Sequence, residues 1–104
     1  MEHVTLKKAP VLAPNLPFTA KKIFSKSAVE LVYLELEPGQ KLDPHSVDFT
    51  ATFFVLSGNG FLLTGEETIP VESEEVFRFA PEEKRGWENT GKEPLRLLVW
   101  KEFE

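Results

Sequence analysis

Apolar residues recur at every second position over short stretches of this chain, and proline, glycine and asparagine break each stretch before it can run on. Such a period fits strands with one buried face, not the spacing of three and four that a helix requires. In residues 28–37 one side carries Val29, Leu31, Tyr33 and Glu35. The other carries Glu30, Val32, Leu34 and Leu36, and its Leu34/Leu36 end is expected to be buried. Pro38-Gly39 closes that strand, because proline presets the first central dihedral of a tight turn and glycine accepts the positive φ of the second. A new strand begins after it.

Residues 50–56 are the most strand-like of the chain, and Ser57-Gly58-Asn59-Gly60 has the composition of a tight hairpin, from which residues 61–64 are expected to return antiparallel. Gly65-Glu66-Glu67 predicts a second hairpin tip, with a short strand at 68–71, and Glu72-Ser73-Glu74-Glu75 an exposed acidic turn. Residues 76–80 alternate around Phe77 and Phe79 until Pro81 stops them. The near-continuous apolar run at 95–100 predicts a last strand covered on both faces. A shorter strand is expected at 21–25. Pro10, Pro14 and Pro17 each remove a backbone donor, so residues 1–17 read as an extended arm or edge segment. Strands at roughly 8–12-residue spacing with turns between them indicate an all-β sandwich or barrel. The 104 residues form one domain, residues 1–104, without repeat or linker.

Composition adds limits. Nine Phe against one Tyr predict a greasy interior with few polar handles, and the absence of cysteine excludes disulfides and thiolate metal sites. A net charge of −5 repels phosphate backbones and anionic membrane surfaces, so neither nucleic acid nor membrane is expected as a partner. The pairs Lys7-Lys8 and Lys21-Lys22 read as solvated surface. No apolar run approaches the roughly 20 residues that span a bilayer, and Met1-Glu2-His3-Val4 has neither the charged nor the apolar region of an export signal. A cytoplasmic location is the expectation.

Candidate chemistry is sparse. Thr50, Thr52 and Ser57 have no base beside them, which leaves nucleophilic catalysis without support. Glu35 and Glu37 share a strand side, but acid–base work would need one of them buried with a raised pKa. The histidines are His3, near the terminus and assigned no role, and His45.

His45 lies within one of two blocks that resemble the small single-domain cupins. The first runs from Pro38-Gly39 through His45 to Phe53-Phe54-Val55-Leu56-Ser57-Gly58-Asn59-Gly60. The second runs from Phe79-Ala80-Pro81 through Arg85-Gly86-Trp87-Glu88-Asn89-Thr90-Gly91 to Glu93-Pro94-Leu95-Arg96. The resemblance implies a double-stranded β-helix, or jelly-roll barrel, and commonly a homodimer, here through an edge strand or the N-terminal arm. Metal-binding members place two histidines and a glutamate in the first block and a histidine in the second. In this chain those positions fall on His45, Val47, near Ala51 and near Arg85. A cofactor is therefore not expected. A divalent metal could be held only by His45 with oxygens such as Asp43, Asp48 or Glu88.

Arg85 has two readings. Projecting inward, it offers a planar fork for a carboxylate or phosphate; on a loop, it would pair with Glu82, Glu83 or Glu88 in water. Trp87 is either a pocket wall or ordinary core. A barrel lined by Phe49, Phe53, Phe61 and Trp87 with one inward arginine would select an amphipathic acid. The ligand-binding candidates are accordingly His45, Phe53, Arg85 and Trp87. Three functions stand open: a metal-free cupin that binds a small organic acid or sugar-like ligand as sensor or carrier, a cupin-type enzyme such as a dioxygenase or isomerase with a degenerate metal site at His45, and a structural barrel without a pocket. Whether the protein is an enzyme is left undecided by the sequence.

Overall fold

The computed structural model describes residues 1–12 and 15–103. Its regular elements are all strands: β1 (Thr19–Ser25), β2 (Val29–Leu36), β3 (Lys41–His45), β4 (Thr50–Ser57), β5 (Gly60–Leu63), β6 (Thr68–Val71), β7 (Val76–Phe79), β8 (Arg85–Glu88) and β9 (Leu95–Glu102). They form two antiparallel sheets, one ordered β1-β2-β9-β4-β7 and the other β3-β8-β5-β6. The expected all-β architecture is what the chain adopts. No helix of the described residues is long and apolar enough to cross a membrane.

Alternation decides which side chains meet between the sheets. On β2, Val32, Leu34 and Leu36 point inward, as do Ala51, Phe53 and Val55 on β4, and Leu95, Leu97 and Val99 on β9. Leu62 and Trp87 close the core from the four-stranded sheet. Burying each valine, leucine or phenylalanine among them contributes about 1.5–3 kcal/mol. Turn chemistry follows the sequence at Pro38-Gly39, where Gly39 has φ +89° and Gln40 N–H donates to the Glu37 carbonyl at 2.9 Å.

The structure departs from the alternation at three places. Residues 60–63 do not return along β4, because β9 and β7 occupy both of its edges; β5 instead crosses to the second sheet and pairs with β6 and β8. Gly58 makes that crossing possible. Its φ is +88°, and a Cβ there would collide with the Pro94 carbonyl. The last strand is covered on one face only: Leu95, Leu97 and Val99 are buried, while Trp100 on the opposite face is 39% exposed. Its apolar run reflects a central place in the sheet between β2 and β4. Finally, Arg85–Glu88 is a strand although its sequence is polar and carries a glycine.

The N-terminal segment folds back on its own sheet. Val11 bridges Lys21, Leu12 N–H donates to the Ala20 carbonyl at 2.8 Å, and the Lys21 ammonium donates to the Leu6 carbonyl at 2.8 Å. The described part of residues 1–17 thus covers the β1 edge within the same chain, and Lys21 serves the fold. The part at Ala13 and Pro14 lies outside the described residues.

Candidate functional site

β8 runs between β3 and β5, and Arg85 and Trp87, two residues apart, share its inward face. Their placement depends on an irregularity opposite. Leu42 pairs with Trp87 and His45 with Arg85, so Asp43 and Pro44 together face the single residue Gly86. Proline has no N–H for the ladder, which suits it to such a bulge. Glycine suits the other side: a Cβ on residue 86 would collide with the Leu42 carbonyl and sit 2.6 Å from the Pro44 nitrogen. The close approach of β3 holds the Arg85 and Trp87 side chains toward the barrel interior.

Arg85 is 5% exposed, so of its two readings the inward one describes the fold. Its only hydrogen bond among the described residues is long, from a terminal nitrogen to the His45 carbonyl at 3.4 Å. Among the described residues, Nε has no acceptor and no carboxylate pairs with the guanidinium. Its centre stands 5.9 Å from the Phe49 ring and 5.7 Å from the Phe53 ring. Burial lowers its pKa from the ordinary guanidinium value, the response of a charge removed from water. Trp87 is fully buried and makes aromatic contacts with Phe53 at 5.0 Å and Phe77 at 6.0 Å. Its indole N–H also lacks an acceptor among the described residues.

Both residues line a cavity of about 220 Å³. Phe49, Phe53 and Leu42 line it with them, and Val32, Leu34 and Val99 add an aliphatic wall from the five-stranded sheet. Leu12, Leu16 and Phe18 reach it from the N-terminal side. His45 borders it as an exposed residue whose Nδ1 lies 3.1 Å from the Asp43 carbonyl. Trp87 is therefore core and cavity wall together. Phe61 does not line the cavity, because β5 turns Leu62 inward and leaves Phe61 on the outer face.

Sequence reasoning missed Lys101. It lines the cavity, with its ammonium 5.5 Å from the Phe49 ring and 3.4 Å from a Glu30 carboxylate oxygen. The signal was present: Leu95, Leu97 and Val99 are inward on β9, so the alternation delivers Lys101 to the same side. Leu12, Leu16 and Phe18 carried no such signal, since they come from an irregular segment.

The donor set does not fit the metal site that metal-binding cupins build from imidazoles and a glutamate. Of the corresponding positions, His45, Val47 and Arg85 do line one cavity, but they supply one imidazole, an isopropyl group and a fixed cation. Ala51 is buried in the core. The Asp43 side chain is 86% exposed and lies 3.7 Å from the Lys41 ammonium, and Asp48 is exposed. No group of three or more His, Cys, Asp or Glu gathers among the described residues.

Glu35 and Glu37 lie away from the cavity. Glu35 accepts from the Tyr33 hydroxyl at 2.6 Å, and Arg96 Nε donates to that hydroxyl at 2.7 Å. Burial, then the bond to Glu35, pushes the Tyr33 pKa up to about 12. Hydrogen bonding with Glu35 raises the Glu37 carboxyl, which is solvent-exposed rather than buried as acid–base work would need.

Two antiparallel sheets closed around one cavity make this chain a double-stranded β-helix. The Cupin domain family, Cupin_2, matches residues 32–101, and the chain belongs to it. Among solved structures, the polyketide cyclase RemF from Streptomyces resistomycificus is similar with a TM-score of 0.88 at 20% identity, over 100% of this chain and 80% of that one. A predicted oxalate decarboxylase from Thermotoga maritima gives 0.86 at 18% identity, over 99% and 100%. A Cupin 2 conserved barrel domain protein from Salinispora arenicola gives 0.83 at 16% identity, over 100% and 89%. No curated protein matches the sequence significantly.

Proposed function

We propose that this cupin binds a small organic acid inside its barrel, as a carrier or sensor, with the Arg85 guanidinium taking the carboxylate. The observation that carries this reading is the buried Arg85, which among the described residues has no carboxylate partner and no acceptor for its Nε, in the wall of a cavity that it shares with Trp87. Buried arginine without a partner is rare because an uncompensated charge in low dielectric is costly. A ligand carboxylate would supply the missing charge, and its paired oxygens match the guanidinium fork.

The other cavity residues support an acid over a sugar. A sugar calls for several neutral hydrogen-bonding side chains, whereas the described wall offers His45, Arg85, Trp87 and Lys101 among aliphatic and aromatic groups. Phe53 and Trp87 would contact the ligand body, and His45 would stand at the mouth. The cavity also weighs against a barrel with no ligand, since about 220 Å³ exceeds the 150 Å³ cavity that admits benzene.

Isothermal titration calorimetry with phenylacetate tests the reading. The wild-type protein is expected to bind it, and Arg85→Met to lose about 10- to 150-fold in affinity, the worth of a charge-assisted hydrogen bond. Equal binding by the two proteins would remove Arg85 from the site.

A further inference from the structure

Resting on the carboxylate-binding reading above, we infer that the cavity selects acids with a single negative charge on a compact, ring-sized apolar body, and that Glu30 sets this selection by holding Lys101. The charge count of the cavity leads there. Two permanent cations reach it, Arg85 and Lys101. Lys101 is already compensated: its ammonium lies 3.4 Å from Glu30 Oε1, and the two side chains are only 24% and 18% exposed. The pair is built into the fold, because Glu30 and Lys101 face each other in the β2/β9 register and Ser25 Oγ donates to the other Glu30 oxygen at 3.3 Å. Arg85 has no such partner among the described residues. One positive charge is left over, and one carboxylate neutralises it.

Inside the barrel, away from the mouth at His45, a second ligand carboxylate meets only unfavourable options. Against Val32, Leu34 or Phe53 it would be a buried charge without a partner; at Lys101 it would share the ammonium with Glu30, leaving two carboxylates on one cation. Either outcome costs affinity by roughly 100-fold or more. Size narrows the body. The cavity holds about 220 Å³, a benzene ring is accommodated by about 150 Å³, and the rest equals roughly two waters at about 30 Å³ each, enough for a carboxylate and one linking carbon. The rings of Phe49, Phe53 and Trp87 favour an aromatic body in tilted or edge contact.

Phenylacetate and phenylmalonate form a matched pair, with the same body and one or two carboxylates, and 2-phenylethanol is the uncharged control. By calorimetry, wild-type protein is expected to bind phenylacetate about 100-fold more tightly than phenylmalonate and to bind 2-phenylethanol weakly. Glu30→Gln keeps the hydrogen bond to Ser25 and frees Lys101. It is expected to raise phenylmalonate affinity about tenfold or more while changing phenylacetate by less than about threefold. Adding Lys101→Met to that variant is expected to restore the original discrimination, and circular dichroism checks that each variant is folded.

If phenylmalonate binds wild type within about threefold of phenylacetate, or if folded Glu30→Gln leaves the ratio unchanged, the inference is overturned while carboxylate binding stands. If phenylacetate itself fails to bind, carboxylate binding falls, and the charge selection with it.

Discussion

Replacing Arg85 by methionine is expected to stabilise the ligand-free protein while weakening its hold on an acid. On the unfavourable side, an arginine 5% exposed has an orphan Nε and no carboxylate partner among the described residues. The unmet donor alone costs about 1–3 kcal/mol, and removing the charge from water adds several more. On the favourable side are one 3.4 Å hydrogen bond and the rings of Phe49 and Phe53 at 5.9 and 5.7 Å, each contact contributing about 0.5–2 kcal/mol. Methionine fills a similar channel, adapts to irregular space and carries no strong polar group. The balance favours the variant by about 1–2 kcal/mol, which for a domain near this size raises Tm by roughly 4–16 °C. Differential scanning calorimetry reads this directly. With phenylacetate at about 100 times the wild-type Kd, wild type gains about 2.7 kcal/mol by mass action, and Arg85→Met, about 10- to 150-fold weaker, gains only about 0.3–1.4 kcal/mol. A folded Arg85→Met protein that melts below wild type without ligand would mean that Arg85 serves the fold and not a ligand.

Further expectations concern the rest of the molecule. Tyr33 is the single tyrosine, so a phenolate absorbance titration reports it alone, with a midpoint near 12 in the folded protein and about 10 in denaturant. Because the fold favours the protonated phenol, the associated stability is fully present below pH 10. It is lost between 10 and about 12, by at most about 2.7 kcal/mol, and a folded-state midpoint at 10 would contradict it. Gly86→Ala would press a methyl group into the Leu42 carbonyl and is expected to cost about 2–3 kcal/mol in urea denaturation, with phenylacetate binding weakened as β3 moves off β8. Leu97→Ala, from a fully buried position that does not line the cavity, is expected to cost about 2–5 kcal/mol while leaving the ligand preference unchanged.

Much of the architecture was legible because strand alternation and turn residues agreed. Val32, Leu34 and Leu36 face the core as their period requires, and Pro38-Gly39 turns as its dihedral preferences require. What alternation cannot encode is which strand lies beside which. The glycine-rich segment after β4 looked like a hairpin because a crossing between sheets needs the same backbone freedom. β8 escaped notice because a strand that presents an arginine and a tryptophan inward around a glycine has neither the hydrophobic period nor the propensity of one. The same features make it the site-bearing strand: local preference is overridden where tertiary contact with the β3 bulge holds a charged side chain inside. Lys101 was legible in principle, one step further along an alternation already recognised.

The most direct measurement is a crystal structure of the protein soaked with phenylacetate. The account predicts the ring among Phe49, Phe53 and Trp87, with its carboxylate within hydrogen-bonding distance of the Arg85 guanidinium, and the Lys101–Glu30 pair intact. A barrel holding an ion coordinated through His45, or one whose Arg85 is met by a carboxylate of the protein itself with no acid in the cavity, would contradict it.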